Sequence, residues 1–337
     1  MNFANISFDN QLIVNSTWTM SDYIGALRVR SSIGRNKYVI SPGLYRLGNP
    51  GKEDRIFVSA NYKLSFDVLR RSLTGMNAWI LVLDTKGINV WCAAGKGTFG
   101  TEELIKQIRE AGLEHLVSNR ELIVPQLGAP GVSGFKVKNA TGFNVEFGPV
   151  RSDDIMEYIA AGRKKTQAMR TVRFNLKDRL ILTMVEIVNS LKYLGIAMIL
   201  VLLLSGITSG GFSFSTMINK GLTEIVLLIL SYLTGCFITP ILLPWLPTRY
   251  FAAKGLFAGF LIFMMVFFLR VVPFSGWSLA GWLLLFSVVS SFLAMNFTGA
   301  STYTSLSGVK KEMRIFVPVQ IVMVLTGLAL IIVSKFV

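Results

Sequence analysis

Residues 78–97 read AWILVLDTKGINVWCAAGKG, and the order of events within them decides the architecture of the first half of the chain. Ala78–Asp84 is a continuous apolar run of strand length. Thr85-Lys86-Gly87 is a turn signal, after which Ile88–Trp91 reads as a second extended piece. Cys92 follows, one of only two cysteines in 337 residues. It stands beside Trp91 and inside a run of small residues, Ala93, Ala94, Gly95 and Gly97. Two explanations are open: a small hydrophobe filling a core, or a segment shaped around something large, flat and thiophilic.

Working outward, Thr101 is placed to cap a helix with Glu102 and Glu103 in its first turn, favourable against the helix dipole. Leu104, Ile105 and Ile108 then recur at helical spacing. Leu122–Pro125 reads as another short buried strand. Residues 128–148, rich in Gly, Pro, Asn and Ser, read as loop. Asp153 and Asp154 open a last helix through Ala161. Strands alternating with helices predict an α/β domain over residues 1–160, Rossmann-like and with a partly parallel sheet. Ligands of such sheets sit at loops beyond the strand ends.

The second half is of another kind. The whole chain is 52% hydrophobic and only 16% charged, with a mean hydropathy of +0.54, whereas soluble domains carry about 25% charged residues. Five apolar stretches follow Leu182: 193–208, 222–246, 251–269, 277–296 and 315–334. About 20 apolar residues span a bilayer as a helix, so residues 181–337 are expected to be an all-α transmembrane domain of five helices. A basic juxtamembrane linker is expected over 161–180. Seven Lys and Arg between Gly162 and Arg179 precede the first span. Arg249 and Lys254 lie between spans two and three, and Lys310, Lys311 and Arg314 between four and five. The other side has Lys220, Arg270 and Lys335. By the positive-inside rule the N-terminal domain is expected in the cytoplasm and the C-terminus outside, in a multi-pass inner-membrane protein. MNFANISFDN lacks the features of a signal peptide.

Charge and composition narrow the function. Residues 1–179 carry 25 Lys and Arg against 16 Asp and Glu, and residues 180–337 carry 9 against 3. No basic stripe interleaved with aromatics is visible, so the membrane explains this balance better than nucleic acid does. Two cysteines and one histidine, His115, are too few for a zinc or iron–sulfur site built from this chain alone. Gly95-Lys96-Gly97-Thr98 lacks the spacing of a phosphate-binding loop. Cys92 and His115 make a poor nucleophile pair, since His115 lies beyond a helix of its own. A thiolate is a soft ligand suited to a transition metal, Lys96 is placed to favour the thiolate, and successive small residues let a flat macrocycle approach the backbone.

Asn89-Val90-Trp91-Cys92-Ala93-Ala94-Gly95-Lys96 resembles the signature of the HgcA family, the membrane corrinoid proteins of microbial mercury methylation. Pro42-Gly43-Leu44-Tyr45, Gly48-Asn49-Pro50, Ser59 through Asp67 (SANYKLSFD), Ala140-Thr141-Gly142-Phe143 and Phe147-Gly148-Pro149-Val150 are similar to the corrinoid domain of the corrinoid iron–sulfur protein of acetyl-CoA synthesis. That likeness covers roughly 42–160; the cluster-binding cysteines of the soluble relative are absent. The resemblance implies a cobalamin-type corrinoid as cofactor, with Cys92 as both the catalytic residue and the lower axial ligand of its cobalt. It implies transfer of a methyl group from cobalt to Hg(II), giving methylmercury. The usual Asp-x-His ligand motif is closed here, because Leu113 stands two residues before His115. A thiolate pushes electron density onto the metal, favouring a carbanion-like or radical methyl in place of a cation. Asn89, Val90 and Trp91 are expected to shape the lower face, with Trp91 alternatively a core anchor. Ala93, Ala94 and Gly95 would permit backbone approach, with Lys96, Gly97 and Thr98 completing the segment. Ser59, Asn61, Tyr62 and Ser65 are expected near the corrin rim, and Thr141, Gly142, Gly148, Pro149 and Val150 near its side chains or nucleotide tail. Implied partners are the small iron–sulfur ferredoxin HgcB as electron donor and a methylated pterin acting through a separate methyltransferase. Cys236 reads either as a relay for Hg(II) or as a packing residue. Glu186 and Glu224 are the acids noted in or near the spans. Another methyl acceptor, a metalloid or an acetyl-CoA-pathway protein, stays open, as does a transporter or sensor with a cytosolic ligand domain.

Overall fold

The computed structural model describes residues 12–270, 276–300 and 306–337. It divides into two units, Met1–Arg173 and Phe174–Val337. In the first unit the elements are β1 (Leu12–Val14), α1 (Met20–Arg30), β2 (Gly43–Leu47), β3 (Arg55–Ala60), α2 (Lys63–Ser72), β4 (Ala78–Leu83), α3 (Val90–Lys96), α4 (Thr101–Glu110), α5 (Leu113–Leu116), β5 (Glu121–Val124), α6 (Gly134–Thr141), β6 (Asn144–Phe147), α7 (Ile155–Ala160) and α8 (Gln167–Arg170). One six-stranded sheet has the order β1-β2-β4-β3-β5-β6. β4, β3, β5 and β6 run parallel, β2 is antiparallel to β4, and β1 is parallel to β2. The domain is thus α/β with a mixed, partly parallel sheet, as the alternation of elements predicts.

The apolar run Ala78–Leu83 is β4, buried along its whole length. Its side chains alternate between two cores, as the two-residue period of a strand requires. Trp79, Leu81 and Leu83 join Val90, Ala93, Ala94, Leu104, Ile108 and Val137 from α3, α4 and α6. Ala78, Ile80 and Val82 join Phe66 and Leu69 of α2 and Ile155 and Tyr158 of α7 on the other face. Burying each large aliphatic contributes roughly 1.5–3 kcal/mol, so a polar residue in β4 would disrupt one core or the other. β3 hands on to a helix on one face, while its neighbours β4 and β5 hand on to helices on the opposite face. The connections therefore diverge around the end of β3. Such a point at the carboxyl ends of parallel strands is where open sheets leave a crevice for ligands.

Three local expectations are corrected. Ile88–Trp91 is not extended: the helix α3 begins at Val90, because the Asn89 side chain accepts a hydrogen bond from the Cys92 backbone N–H at 3.0 Å and closes the first turn. Residues 128–148 are not all loop, since they contain α6 and β6. Ser133 caps α6, Gly142 ends it at φ +78°, and Val137 and Phe143 anchor it in the core. The cap of α4 is Gly100, whereas Thr101 is its first helical residue. The Thr101 hydroxyl accepts from Ser133 N at 2.8 Å and donates to the Gly131 carbonyl at 3.3 Å, tying α4 to the loop after β5.

The second unit comprises α9 (Leu176–Ser205), a small hairpin of β7 (Ile207–Thr208) and β8 (Gly211–Phe212), α10 (Phe214–Leu233), α11 (Thr239–Leu242), α12 (Phe251–Phe268), α13 (Gly276–Asn296) and α14 (Leu306–Val333). A π-turn at Thr234–Ile238 joins α10 to α11. Among the described residues, five helical segments are long and apolar enough to cross a membrane, and each overlaps one of the five apolar stretches. They mark the chain as a membrane protein. Small residues let the helix backbones meet. A methyl group on Gly255 or Gly259 would collide with Ser287, Ser290 or Ser291 of α13, and one on Gly281 would collide with α14 at Gly327. The first span begins at Leu176, inside the stretch read as a linker, because Asn175 and Asp178 form a capping box there. α14 starts before the apolar stretch and takes in a third acid, Glu312. This side chain is buried and accepts from the Ala252 N–H at 2.6 Å, capping α12. Cys236 is buried in the π-turn against Tyr232 and Leu293.

Candidate functional site

Cys92 is the third residue of α3, directly after the loop that leaves β4. Val90, Ala93 and Ala94 face inward and are buried, which leaves Trp91, Cys92, Gly95 and Lys96 on the exposed side. Trp91 is 47% exposed, so it is not a core anchor; the buried tryptophan of the domain is Trp79. A Cβ added at Gly95 would meet nothing within 4 Å, and Gly97 ends the helix at φ +82°. The thiol therefore stands on an open, small-residue surface flanked by one indole. The other side of α3 is closed. A Cβ at Gly131 would lie 2.1 Å from the Phe99 carbonyl oxygen and 3.3 Å from the Ala94 Cα. The small residues of the segment thus divide into two sets: Ala93 and Ala94 admit the neighbouring chain, and Gly95 leaves room outside.

The loop that delivers Cys92 is held by Asn61, just beyond the end of β3. Asn61 Oδ1 accepts from Thr85 N at 3.0 Å, Thr85 Oγ1 at 2.8 Å and Gly87 N at 3.0 Å, and Nδ2 donates to Asp84 Oδ1 at 3.1 Å. The Asp84 backbone N–H reaches Glu103 of α4 at 2.9 Å. Lys86 pairs with Asp84, and that hydrogen bond, outweighing burial, holds the Asp84 carboxyl below the ordinary carboxylate range. Gly87 has φ +71°, and a side chain there would strike Val39. The segment before β2 therefore lies against this loop, with Val39 bridged to Tyr62.

The expected site residues fall into groups. Asn61, Tyr62, the segment 89–98, Gly148, Pro149 and Val150 share the edge at the carboxyl ends of β3, β4 and β6. Within that edge Asn61 and Tyr62 are buried, Arg35 stands 5.9 Å over the Tyr62 ring, and burial raises the Tyr62 phenol. Ser59 is buried within β3, and Ser65 is half-buried in the first turn of α2. Thr98 closes α3, its hydroxyl 3.5 Å from the Ala93 and Thr85 carbonyls. Thr141 and Gly142 precede β6 and lie at the opposite end of the strands, next to Arg120. The structure does not bring them to Cys92.

Two contributors are not legible in the sequence pattern. Lys165, from the basic stretch, donates to Gln126 Oε1 at 2.7 Å and the Phe147 carbonyl at 2.5 Å, stitching that stretch across the ends of β5 and β6. Burial, with Arg170 nearby, lowers its ammonium. A buried ionic group fixes α1 to α2. Lys63 bridges Asp22 and Asp67 at 2.6 Å each, and Arg70 reaches both at 2.8 Å. The signal available for it was only the i,i+4 and i,i+3 spacing of Lys63, Asp67 and Arg70.

Residues 26–159 match the family model of the CO dehydrogenase/acetyl-CoA synthase delta subunit. The acetyl-CoA decarbonylase/synthase complex subunit gamma of Archaeoglobus fulgidus is 31% identical over 127 residues, which is 37% of this chain and 27% of that protein. Its counterpart from Methanopyrus kandleri is 32% identical over the same length and shares. The corrinoid/iron-sulfur protein large subunit of Moorella thermoacetica is 25% identical over 120 residues, 35% of this chain and 26% of that protein. The chain spans about a quarter of the length of the curated relatives it matches. Its N-terminal region carries a domain like that of the corrinoid/iron-sulfur protein large subunit.

Proposed function

We propose that a chain with such a domain at residues 26–159 uses it to hold a corrinoid, with the Cys92 thiolate as the ligand beneath cobalt, and passes a methyl group to Hg(II). The observation that carries this reading is the exposed sulfur of Cys92 on a helix anchored at the carboxyl edge of a parallel sheet. The residues fit the cofactor: a soft ligand stands on a surface that stays open at Gly95, and the apolar face of Trp91 lies beside it. When bound, the corrinoid supplies a cobalt-borne methyl group as the transferable carbon. Cys92 would hold the metal and donate electron density to it. Asn89 fixes the backbone from which that sulfur projects, and Asn61 fixes the loop before it. Lys96 stands exposed at the end of α3, on the same side of the helix as Cys92. Mercury as acceptor rests on the resemblance of Asn89–Lys96 to the HgcA signature together with five apolar helices. On this reading the electron donor is the ferredoxin HgcB, the methyl group comes from a methylated pterin through another methyltransferase, and the N-terminal domain faces the cytoplasm.

The test is twofold. Protein purified from a corrinoid-making host should show corrinoid absorbance bands, and Cys92→Ala should abolish methylmercury formation from Hg(II). Activity retained in that variant would reject the role given to Cys92. The names of the relatives favour a second acceptor, a protein of acetyl-CoA synthesis. Corrinoid bands without methylmercury formation would support that alternative.

A further inference from the structure

Among the described residues, no acid pairs with one buried positive charge of the second unit. Arg179 sits in the opening turn of α9 and is 4% exposed. Among the described residues, neither its Nε nor its Nη1 has a hydrogen-bond acceptor. The acid beside it, Asp178, is engaged in the capping box, where it accepts from Asn175 N at 3.3 Å. The partner that Arg179 does have is aromatic: its guanidinium carbon lies 5.7 Å from the centroid of the Trp245 ring. One turn along α9, Leu182 packs with Phe174 against Leu243, Phe251 and Phe297. The turn that follows Arg179 is thus packed in an apolar cluster, and a buried charge without a counter-charge is strongly destabilising.

Depth decides what compensates it. At about 1.5 Å per residue, α9 extends roughly 15 Å beyond a hydrocarbon core of about 30 Å. The fourth residue of the helix then falls at headgroup level, where tryptophans such as Trp245 also concentrate. Lys177 and Arg249 add positive charge to this end of the unit, and Lys254 is engaged with the Leu243 carbonyl. The two N–H groups call for an anion with several acceptor atoms. A phosphate offers them in the geometry a guanidinium fork favours, whereas a halide offers one centre. Trp245, the aromatic neighbour of Arg179, is itself 69% exposed.

We propose that Arg179, held beside the Trp245 ring, binds a phosphate-class oxyanion at the membrane–water boundary of the second unit. The shared chemistry is a phosphate group, and two sources can provide it: a phospholipid headgroup or free inorganic phosphate.

The experiment uses the full chain. In nanodiscs containing equal phosphatidylglycerol and phosphatidylcholine, whose phosphate is already balanced by its own choline cation, native mass spectrometry should find the anionic lipid retained about tenfold over the zwitterionic one. That preference should fall below twofold in Arg179→Leu and lie between the two in Arg179→Lys, which keeps the charge and loses the fork. In detergent, inorganic phosphate should raise the melting temperature above chloride at equal ionic strength only if the soluble ion is the occupant. Selective lipid retention without a phosphate effect assigns the headgroup; a phosphate effect with unselective retention assigns the free ion. Absence of both effects in the wild-type protein overturns the proposal, and this outcome needs no variant to fold. In phosphate-free detergent, Arg179→Leu should melt no lower than wild type, because it removes an uncompensated charge. A purely structural arginine would give the opposite result.

Discussion

Replacing Asn61 with Ala isolates what positions Cys92. The substitution removes one acceptor that three donors share and one donor to Asp84. The Thr85 hydroxyl keeps a second acceptor, the Ile88 carbonyl at 2.6 Å. Two backbone N–H groups, those of Thr85 and Gly87, are left without a partner, and both hydrogen bonds lost are buried. A buried donor left unsatisfied costs about 1–3 kcal/mol. Water entering the space vacated by the amide moves the pair toward the lower end, so the expected cost is about 2–3 kcal/mol. This corresponds to a roughly 30- to 150-fold rise in the open population of residues 84–89. Hydrogen exchange read by mass spectrometry on the full chain in nanodiscs should show faster exchange in peptides covering 84–92, with the membrane helices unchanged. Asn61→Asp keeps the acceptor but sets a second carboxylate against Asp84, and should fall between Ala and wild type. Unchanged exchange over 84–92 in Asn61→Ala would refute the reasoning, because the three hydrogen bonds would then hold nothing that matters to the loop.

Other substitutions test neighbouring links. Asn89→Ala removes the α3 cap and should cost about 1 kcal/mol, seen as faster exchange at the Cys92 amide and weaker corrinoid retention on gel filtration. Gly131→Ala forces a methyl group to 2.1 Å from the Phe99 carbonyl; a loss of about 1–3 kcal/mol should appear as a lower melting temperature of the N-terminal domain. Burial alone would raise the Asp22 carboxyl, but hydrogen bonds from Lys63, the Thr19 backbone and Arg70 outweigh it and hold the group well below the ordinary range. Such a group contributes stability that is complete above its unfolded value, about 3.8, and is lost as pH falls through the folded one. The domain's melting temperature should therefore stay level from about pH 7 to pH 5 and drop below about pH 4, and Asp22→Asn should flatten that drop.

The parts of the fold that could be read directly are those fixed by local pattern. β4 is six apolar residues in a row, and the five spans are longer apolar runs still; burial of either needs no knowledge of the rest of the chain. α3 resisted because it is seven residues long and its start depends on one cap. Nothing periodic separates Ile88–Trp91 from a strand until the Asn89 side chain is known to turn back on Cys92. α6 and β6 were obscured by glycines that end elements instead of filling a loop. At the candidate site, Cys92 and its small neighbours stood out by composition, whereas the work of Asn61 could not, since its partners lie 23 to 26 positions away. Arg179 looked like one more positive charge before a span until its lack of an acceptor was visible in three dimensions.

The cap on α3 sets how Cys92 can move. With the main-chain N–H of that residue tied to Asn89 and the inner side of the helix pressed against Gly131, the only soft coordinate left to the sulfur is χ1, which has three staggered wells. Whatever approaches this sulfur from the open side therefore meets a fixed backbone and a side chain with one torsion left to adjust.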